Sequence, residues 1–410
     1  MTGQEVPVEH LGRWNAALAL AAMVAVICSN ACSWPASADE QMSGFVGRTA
    51  GRFILDGKPY FVAGVNNHYL TFASPREVTH VLDDAVAMGA NVVRTFVQPV
   101  IGSPDGTTMP TIWKWRSGAD SSNLGVHGTY MLYWDVEHGG MGINESENGL
   151  QKLDFLVAEA RNRRLRLIIA FLDYWDFTGG AQQMRAWYGS KDANDFFRDD
   201  RTKRDYKELV RAILLRVNPL TGIAYRDEPA IFAWDLMNEP DDVRPTGLLH
   251  GWIAEMSGYV KSIDRNHLVT SGLANVDGRL SDIGISTIDF GVWHGYPIYY
   301  NLTVDEFDKL IGEFCDIGAA NDKPVLLEEF GYARSNGDQV DAYRKWMATI
   351  ERHPYCAGWL VWRLVSLQDT QRYPTDDHDQ FDIHHDGSPI WAALLEGARR
   401  LISKGGKVVP

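Results

Sequence analysis

Eight short, apolar, β-rich runs alternate with longer segments of helical pattern, and this alternation constrains the fold more than any other feature. The runs are Tyr60–Asn66, Asn91–Phe96, Leu165–Leu172, Ile231–Leu236, His267–Gly272, Asp289–His294, Pro324–Gly331 and Gly358–Leu364. Between them, segments such as Arg76–Ala90 and Gly149–Arg163 repeat apolar residues at intervals of three and four, which predicts amphipathic helices. Nearly continuous apolar strands alternating with helices predict a parallel sheet covered on both faces.

Eight such units predict an α/β fold, a (β/α)8 TIM barrel with enlarged loops at its C-terminal face. The competing architecture is a doubly wound open sheet, which should carry a glycine-rich phosphate turn after its first strand. The sequence at that point is GVNNHYL, Gly64–Leu70, which is not such a turn. From Ser43 onward we find no Pro- or Ser-rich linker, so a single domain over residues 43–404 is expected.

The first 38 residues have the pattern of a secretory signal peptide. A single arginine precedes an apolar stretch, Ala16–Ile27, and an Ala-x-Ala pattern follows at Ala36–Ala38. The stretch is shorter than the ~20 residues of a membrane-spanning helix, so we expect a protein without a membrane anchor, secreted outside the cell or into the periplasm. A lipid anchor on Cys28 or Cys32 is the alternative.

The charge and the cysteines narrow the classes of partner. The formal charge is −14 and is spread without a basic block, which argues against binding to nucleic acid or anionic lipid and favours a neutral partner. After signal removal, Cys315 and Cys356 remain. An oxidising compartment permits a disulfide between them but does not require one, and neither has metal-ligand spacing.

Polar and aromatic residues follow six of the eight predicted strands, where a barrel places its functional groups. They are Asn66 and His68 after the first strand, Arg94 in the second, Asn238 and Glu239 after the fourth, His294 and Tyr296 at the sixth, Glu328 and Glu329 in the seventh, and Trp362 in the eighth. This clustering predicts an active site at the C-terminal face of the barrel.

Glu239 and Glu329 have the residue type and placement needed to break a glycosidic bond, which takes one protonated acid and one anionic nucleophile or base. They lie on the fourth and seventh predicted strands and should face each other. We expect Arg94 and the hydroxyl of Tyr296 to keep Glu329 anionic, and weak solvation together with the partner's charge to keep Glu239 protonated. A spacing of ~5–5.5 Å would retain configuration, and one of about 6.5 Å or more would invert it.

The motifs WDLMNEP, HGYP and LLEEFG resemble the signatures of glycoside hydrolase family 5, and most closely those of its endo-β-1,4-mannanases. The resemblance runs from Phe53–Leu70 through Asp205–Pro240 to the last strand. It implies retaining hydrolysis of β-1,4-mannosidic bonds in mannan-type polysaccharides without a cofactor. It also implies Glu239 as acid/base and Glu329 as nucleophile, with Glu328 as a structural neighbour.

The resemblance further implies roles for the residues around the two glutamates. Asn238 would bind the 2-hydroxyl of the sugar, Arg94 would orient the nucleophile, His294 and Tyr296 would support the two glutamates, and Trp362 would form a sugar platform. Further candidates for substrate binding are His68 and Trp175, with Trp113, Trp115 and Trp187 in similar loop contexts. We expect a monomer that binds a β-linked polysaccharide or oligosaccharide.

Two departures from the mannanase pattern leave alternatives open. Asp173 stands where the mannanases carry an Asn-Asn or Asn-Tyr pair, so a substrate contact is expected to differ. The segment Pro110–Gly140 is longer than expected and would wall off one end of the cleft. The alternatives are an exo-acting β-mannosidase, a β-1,4-glucanase, or a secreted carbohydrate-binding protein without catalysis.

The run DDHDQFDIHHDG, Asp376–Gly387, combines three histidines with five aspartates in twelve residues. Its spacing matches no calcium loop or zinc signature. We interpret it as a polar loop before a helix that has Ser388 as its cap and Pro389 in its first turn, so no metal site is expected.

Overall fold

Eight parallel strands form a nearly closed barrel in the computed structural model, which describes residues 42, 44–112, 121–122, 124–241, 247–275 and 279–405. The barrel strands are β1 Val62–Asn66, β2 Val92–Phe96, β3 Arg166–Ala170, β4 Ile231–Asp235, β5 Leu268–Thr270, β6 Gly291–Gly295, β7 Val325–Phe330 and β8 Cys356–Val361. Their hydrogen-bonded order is β5-β4-β3-β2-β1-β8-β7-β6. The predicted (β/α)8 fold is confirmed, and each predicted run overlaps one barrel strand.

Helices cover the outside of the barrel. They are α1 Pro75–Ala87, α2 Leu150–Asn162, α3 Gly180–Trp187, α4 Asp195–Arg198, α5 Asp200–Leu215, α6 Leu248–Ile263, α7 Pro297–Tyr300, α8 Val304–Ala320, α9 Gln339–Arg352 and α10 Pro389–Gly405, with short 3-10 turns at Tyr225–Asp227 and Arg334–Asn336. Helix α1 begins with a capping box in which Ser74 and Glu77 satisfy each other's backbone N–H groups. The two helices predicted from periodicity, Arg76–Ala90 and Gly149–Arg163, correspond to α1 and α2.

A small antiparallel sheet closes the N-terminal end of the barrel. Its strands are Gly47–Thr49, Arg52–Leu55 and Lys58–Tyr60, and the sequence pattern did not separate them from β1. The buried ring of Phe53 packs edge-on against Phe232 and Phe290, with ring centroids 5.0 and 5.1 Å apart. Because this end is plugged by aromatic packing, the opposite end is the one left for a substrate.

A disulfide between Cys315 and Cys356 joins α8 to β8, with a Cα–Cα distance of 5.1 Å. Both cysteines are buried. The bridge closes a loop of 41 residues, and the chain-entropy estimate for such a loop is a stabilisation of about 4 kcal/mol. The pairing that the sequence left open is therefore made in the structure.

The expectation that the long segment Pro110–Gly140 walls off one end of the cleft stays a prediction, because residues 113–120 and 123 lie outside the described part. Trp113 and Trp115 are among them, and no described residue of the segment lines the cleft. Trp134 packs instead against Trp187 and Tyr188. Trp187 is buried and donates its Nε1–H to the carbonyl of Ile101, so it belongs to the core rather than to a sugar subsite.

The predicted signal peptide, with Cys28 and Cys32, also lies outside the described residues. Within the described ranges, no helix combines the length and apolar character needed to cross a membrane. From Gly44 onward, the described residues form one compact unit.

Candidate active site

A cavity of about 520 Å³ opens at the C-terminal ends of the barrel strands and brings most of the predicted site residues together. Those that line it are His68, Trp175, Asn238, Glu239, Tyr296, Glu329 and Trp362. Arg94 and His294 lie beneath the cavity floor and are fully buried. The residues that the sequence placed at strand ends therefore do converge on one site.

The guanidinium of Arg94, on β2, is the centre of the buried network. Its Nη1 donates to Glu329 Oε1 at 2.6 Å, its Nη2 donates to Asp235 Oδ2 at 2.7 Å, and a further Nη2–H donates to Asn238 Oδ1 at 2.9 Å. Burial alone acts to lower the pKa of Arg94, but the surrounding carboxylates outweigh it and raise the pKa far above its usual value. Arg94 is thus a permanent positive charge under the floor of the site.

An irregularity in β7 brings two consecutive glutamates into the same interior. Leu327 pairs with Trp293 and Glu329 pairs with His294, so Glu328 is an extra residue in the ladder between β7 and β6. In a regular strand, neighbouring side chains point to opposite faces, and a bulge of this kind re-aims them. Both carboxyl groups are buried as a result, and both lie close to Arg94.

Asn238 and Glu239 stand where β4 has already ended. Asn238 is held by a parallel bridge to Asp173, and the N–H of Glu239 donates to the carbonyl of Gly272 at 2.8 Å. Glu239 has a φ of 48°, in the left-handed region that is unfavourable for a residue with a side chain. Poor strand formers are accommodated here because this stretch is not strand, and strain of this kind is found at functional sites.

Glu239 accepts one hydrogen bond on each carboxylate oxygen. His294 Nδ1 lies 2.7 Å from Oε1, and the indole N–H of Trp175 donates to Oε2 at 2.8 Å. Burial acts to raise the pKa of Glu239, but the hydrogen bond and charge of His294 and the bond from Trp175 outweigh it, so the pKa lies below its usual value. The expectation that weak solvation keeps Glu239 protonated is therefore wrong for the substrate-free site, because a charged imidazole lies next to it.

Glu329 has different partners and the opposite shift. Besides the bond from Arg94, the hydroxyl of Tyr296 donates to Oε2 at 2.5 Å. Burial raises the pKa of Glu329 and the charge of Glu239 adds to this, whereas His294, Arg94 and Tyr296 act to lower it, and the net shift is upward. The predicted contacts of Glu329 are present, but they only partly offset the effect of burial.

His294 lies between the two halves of the site and is fully buried. In addition to Glu239, it contacts Glu328 Oε2 through Nε2 at 3.2 Å, and its Nδ1 is 3.5 Å from Glu329 Oε2. Burial acts to lower its pKa, but the charge of Glu329 and the bonds to Glu239 and Glu328 raise it to about 10. At neutral pH His294 is therefore an imidazolium that donates from both nitrogens.

The two carboxyl groups are close enough to act on one atom. One oxygen of Glu239, one of Glu329 and a ring nitrogen of His294 all lie within 4.8 Å of one another. This approach is below the separation of about 6.5 Å that leaves room for a water between two carboxyl groups, and it fits the ~5–5.5 Å of a direct displacement.

Asp173, the departure noted in the sequence, contacts protein groups in the structure. Its Oδ1 accepts from Asn238 Nδ2 at 2.9 Å and from the backbone N–H of Trp175 at 3.3 Å. Burial raises its pKa to about 7, while the bonds from Asn238 and Trp175 act in the opposite direction. Asp173 also lines the cavity, and it fixes the amide of Asn238 from the side opposite Arg94.

Arg363 and the residues bonded to it form the wall of the cavity beside Trp362. The ring of Trp362 stacks on that of Phe96, with the ring centroids 6.1 Å apart. Arg363 lies 2.8 Å from His68 Nδ1 and bonds to Asp382 at 2.7 Å and to Asp376 at 3.0 Å. Burial and the charge of Arg363 lower the pKa of His68 to about 3, so the imidazole is neutral. Sequence reasoning had found His68 and Trp362 but not Arg363, although it directly follows Trp362.

The aspartate-rich run that suggested a metal serves as a polar loop along this wall. Asp376 and Asp382 bind Arg363, and Asp377 pairs with Arg334 at 2.5 Å. Asp379 accepts from the hydroxyl of Tyr299 at 2.5 Å. These carboxylates are engaged by arginine or phenol groups, and α10 begins at Pro389 as the interpretation required.

Residues 130–360 match the family model for GH family 5 beta-mannosidase-like proteins, which is more than half of the chain. Mannan endo-1,4-beta-mannosidase 1 of Oryza sativa subsp. japonica is 30% identical over 404 residues, covering 87% of this chain and 86% of that protein. Mannan endo-1,4-beta-mannosidase A of Podospora anserina is 29% identical over 373 residues, covering 86% and 90%.

Among solved structures, the endo-1,4-beta-mannanase of Rhizomucor miehei superposes with a TM-score of 0.74 at 27% identity, covering 88% of this chain and 100% of that one. The chain therefore belongs to glycoside hydrolase family 5, in its β-mannosidase-like group, and is a glycoside hydrolase.

Proposed function

We propose that this enzyme is a retaining endo-β-1,4-mannosidase that cleaves mannan-type polysaccharides by double displacement. The observation that carries the proposal is the approach of the Glu239 and Glu329 carboxyl groups to within 4.8 Å at the floor of the cavity. Relatives from a plant and a fungus that carry the name mannan endo-1,4-beta-mannosidase support mannan as the substrate.

In the first step, Glu329 attacks the anomeric carbon and forms a glycosyl ester while Glu239 protonates the leaving oxygen. In the second step, Glu239 takes a proton from water, and the water cleaves the ester with net retention. Arg94 and Tyr296 hold the Glu329 carboxylate from two sides and leave its position fixed for attack.

The amide of Asn238 is oriented for the 2-hydroxyl of the sugar. Its oxygen accepts from Arg94 and one N–H donates to Asp173, so one N–H remains for the substrate. Trp362 supplies an apolar face in the cavity, on which a pyranose ring can stack, while His68 and the half-exposed Trp175 flank the bound chain. Hydrogen bonds to the 2-hydroxyl strengthen in the transition state, which is where they raise the rate.

We also propose that the protein is exported and works as a monomer. Its signal-like first 38 residues support export. N-terminal sequencing of the protein recovered from the medium or the periplasm is expected to begin at Asp39. A protein retained in the cytoplasm with its first residues intact would contradict this.

Product analysis tests the proposed activity. Purified enzyme would be incubated with linear mannan, mannobiose and carboxymethylcellulose, with Glu329→Ala as the inactive control. We expect a ladder of manno-oligosaccharides from mannan and little release from carboxymethylcellulose. Release of mannose alone would indicate exo action, cleavage of carboxymethylcellulose would indicate a glucanase, and binding to mannan without cleavage would indicate a carbohydrate-binding protein.

An exo-acting β-mannosidase is the second candidate, because the hydrogen bond between Tyr299 and Asp379 joins the segment after β6 to the loop after β8. Both residues line the cavity, and such a link would close a groove to a long polymer. If the link enforces exo action, Tyr299→Phe should increase cleavage inside reduced mannopentaose relative to release of terminal mannose. An unchanged product ratio would count against this candidate.

A further inference from the structure

Glu328 has no role in the proposed chemistry, yet it is fully buried beside it. Its Oε2 is 3.2 Å from His294 Nε2, and its Oε1 has no hydrogen-bond partner among the described residues, the nearest cation being Arg94 Nε at 3.5 Å. A buried carboxylate with one unbonded oxygen is costly to folding. Such a group is retained where its charge or proton serves a purpose.

Glu328, His294 and Glu239 form a continuous hydrogen-bonded chain. Glu328 is at the buried end, His294 is in the middle, and Glu239 reaches the cavity with 22% of its side chain exposed. The bulge in β7 turns Glu328 towards His294, because Glu328 has no paired residue in the ladder between β6 and β7. The chain therefore runs from the interior to the position of the leaving oxygen.

We propose that Glu328 is a positioning residue which holds His294 as the proton store for Glu239. This proposal rests on the proposed function, because it assigns the source of the proton used there. In the substrate-free site, the pKa directions place the proton on His294 and leave Glu239 anionic. The acid that bond cleavage needs is thus one hydrogen bond away from the residue that delivers it.

The proton balance closes over the two steps. During glycosylation, the proton on His294 Nδ1 moves to Glu239 and on to the leaving oxygen, as the bond from the anomeric carbon to that oxygen breaks and the bond to Glu329 forms. His294 is then neutral. During deglycosylation, Glu239 takes a proton from the attacking water and passes it to His294 Nδ1, which restores the imidazolium.

The charges that face His294 determine the direction in which the pH profile should shift when Glu328 is replaced. Glu239 and Asp235 face it from the end of β4, Glu328 and Glu329 face it from β7, and Arg94 on β2 opposes them. Removing the charge of Glu328 takes away one anion that favours the imidazolium, so His294 loses its proton at lower pH. The alkaline limb of the profile of kcat/KM against pH should move to lower pH, by about one unit or more.

The variant for this test is Glu328→Gln, which keeps the shape of the side chain. On linear mannan, whose leaving group needs protonation, kcat/KM at neutral pH should fall by at least about tenfold. On 2,4-dinitrophenyl β-mannobioside, whose leaving group needs no proton, the loss should stay below about threefold. The matched control is Asp235→Asn, which removes another buried anion beside Arg94 but is not hydrogen-bonded to His294. Because Asp235 faces His294 without a hydrogen bond to it, this variant should move the alkaline limb less than Glu328→Gln does and should lack the selective loss on mannan.

Equal losses of Glu328→Gln on the two substrates, or an unmoved alkaline limb, would overturn the proposal, because a merely structural role slows both substrates. If Glu328→Gln does not fold, as judged by its melting curve, Glu328→Asp takes its place. It keeps the charge but shortens the reach to His294, and the same selective loss on mannan is expected. Failure of the proposed function is distinguishable, because the unchanged enzyme would then release no ladder of manno-oligosaccharides from linear mannan.

Discussion

The two halves of the active site each contain a glutamate, but the groups that contact the two glutamates differ. Glu239, 22% exposed, contacts an imidazolium and an indole N–H, whereas Glu329, 4% exposed, contacts a guanidinium and a phenol. An imidazolium can transfer its proton to a carboxylate hydrogen-bonded to it, and a guanidinium does not. In the proposed mechanism, the division of labour between the glutamates is therefore set by whether each partner can exchange a proton. It is not set by the order of their resting pKa values, which the sequence led us to expect in reverse.

The largest effect is expected from removing Glu329, the glutamate that lies beside the permanent charge of Arg94. Glu329→Ala leaves no nucleophile, so kcat should fall by roughly a thousandfold or more on mannan and on 2,4-dinitrophenyl β-mannobioside alike. Steady-state kinetics on both substrates measure this, with a melting curve as the control for folding. Residual activity near that of the unchanged enzyme would show that Glu329 is not the nucleophile.

Replacing Glu239, the glutamate beside the proton-exchanging His294, should slow the cleavage of mannan more than that of the dinitrophenyl substrate. Glu239→Gln keeps the hydrogen-bonding shape but cannot act as an acid, so kcat/KM on mannan should fall by at least about a hundredfold. Formation of the glycosyl-enzyme from the dinitrophenyl substrate, followed as a burst in the absorbance of the released phenol, should be affected much less. Equal losses in both assays would erase the contrast between the two glutamates.

The hydroxyl of Tyr296 tests how much one hydrogen bond to Glu329 contributes to activity and to the pKa of that carboxyl group. Tyr296→Phe removes a hydrogen bond to a charged group, worth about 1.5–3 kcal/mol, so kcat/KM should drop roughly 10- to 150-fold. The hydroxyl acts to lower the pKa of Glu329, so its loss should raise that pKa further and move the acid limb of the pH profile to higher pH. An acid limb that stays in place would mean that Tyr296 acts only on the substrate.

The smallest effect is expected at the indole beside Glu239. Trp175→Phe removes a donor to the ionised carboxylate, so the pKa of Glu239 should rise, which a pH titration of the Glu239 carboxyl carbon by NMR would measure. Because Trp175 is 37% exposed, solvent weakens the bond, and the shift should stay below about one unit. A shift to lower pH would contradict the assigned contact.

The sequence predicted the barrel because its strands are buried on both faces and therefore appear as apolar runs. It also predicted that Glu239, Glu329 and their partners would meet at one end of the barrel, because a parallel barrel gathers the residues at its strand ends. Asp235 was missed, although a lone aspartate inside the apolar run of Ile231–Leu236 was a usable signal. In the structure it is fully buried and bonded to Arg94.

Other features depend on neighbours that are distant along the chain, and no local pattern reveals them. The bulge at Glu328 leaves no trace in the sequence LLEEFG, which looks like an ordinary strand. The charge on His294 results from carboxylates on β4 and β7 together, so the pKa order of the two glutamates could not be predicted from either motif alone. The sequence pattern did not separate the short antiparallel sheet from β1, because no turn residue lies between Tyr60 and Val62.

The left-handed backbone of Glu239 sets a local cost in folding free energy against the contacts of its side chain. A glycine adopts this conformation without steric penalty, whereas a glutamate gives up about 1 kcal/mol of folding free energy to do so. A glycine at this position would relieve the backbone strain but would leave the buried imidazolium of His294 without one of its partners, which costs more than the strain. In the proposed mechanism, the strained backbone therefore places the acid/base carboxylate against both His294 and Trp175.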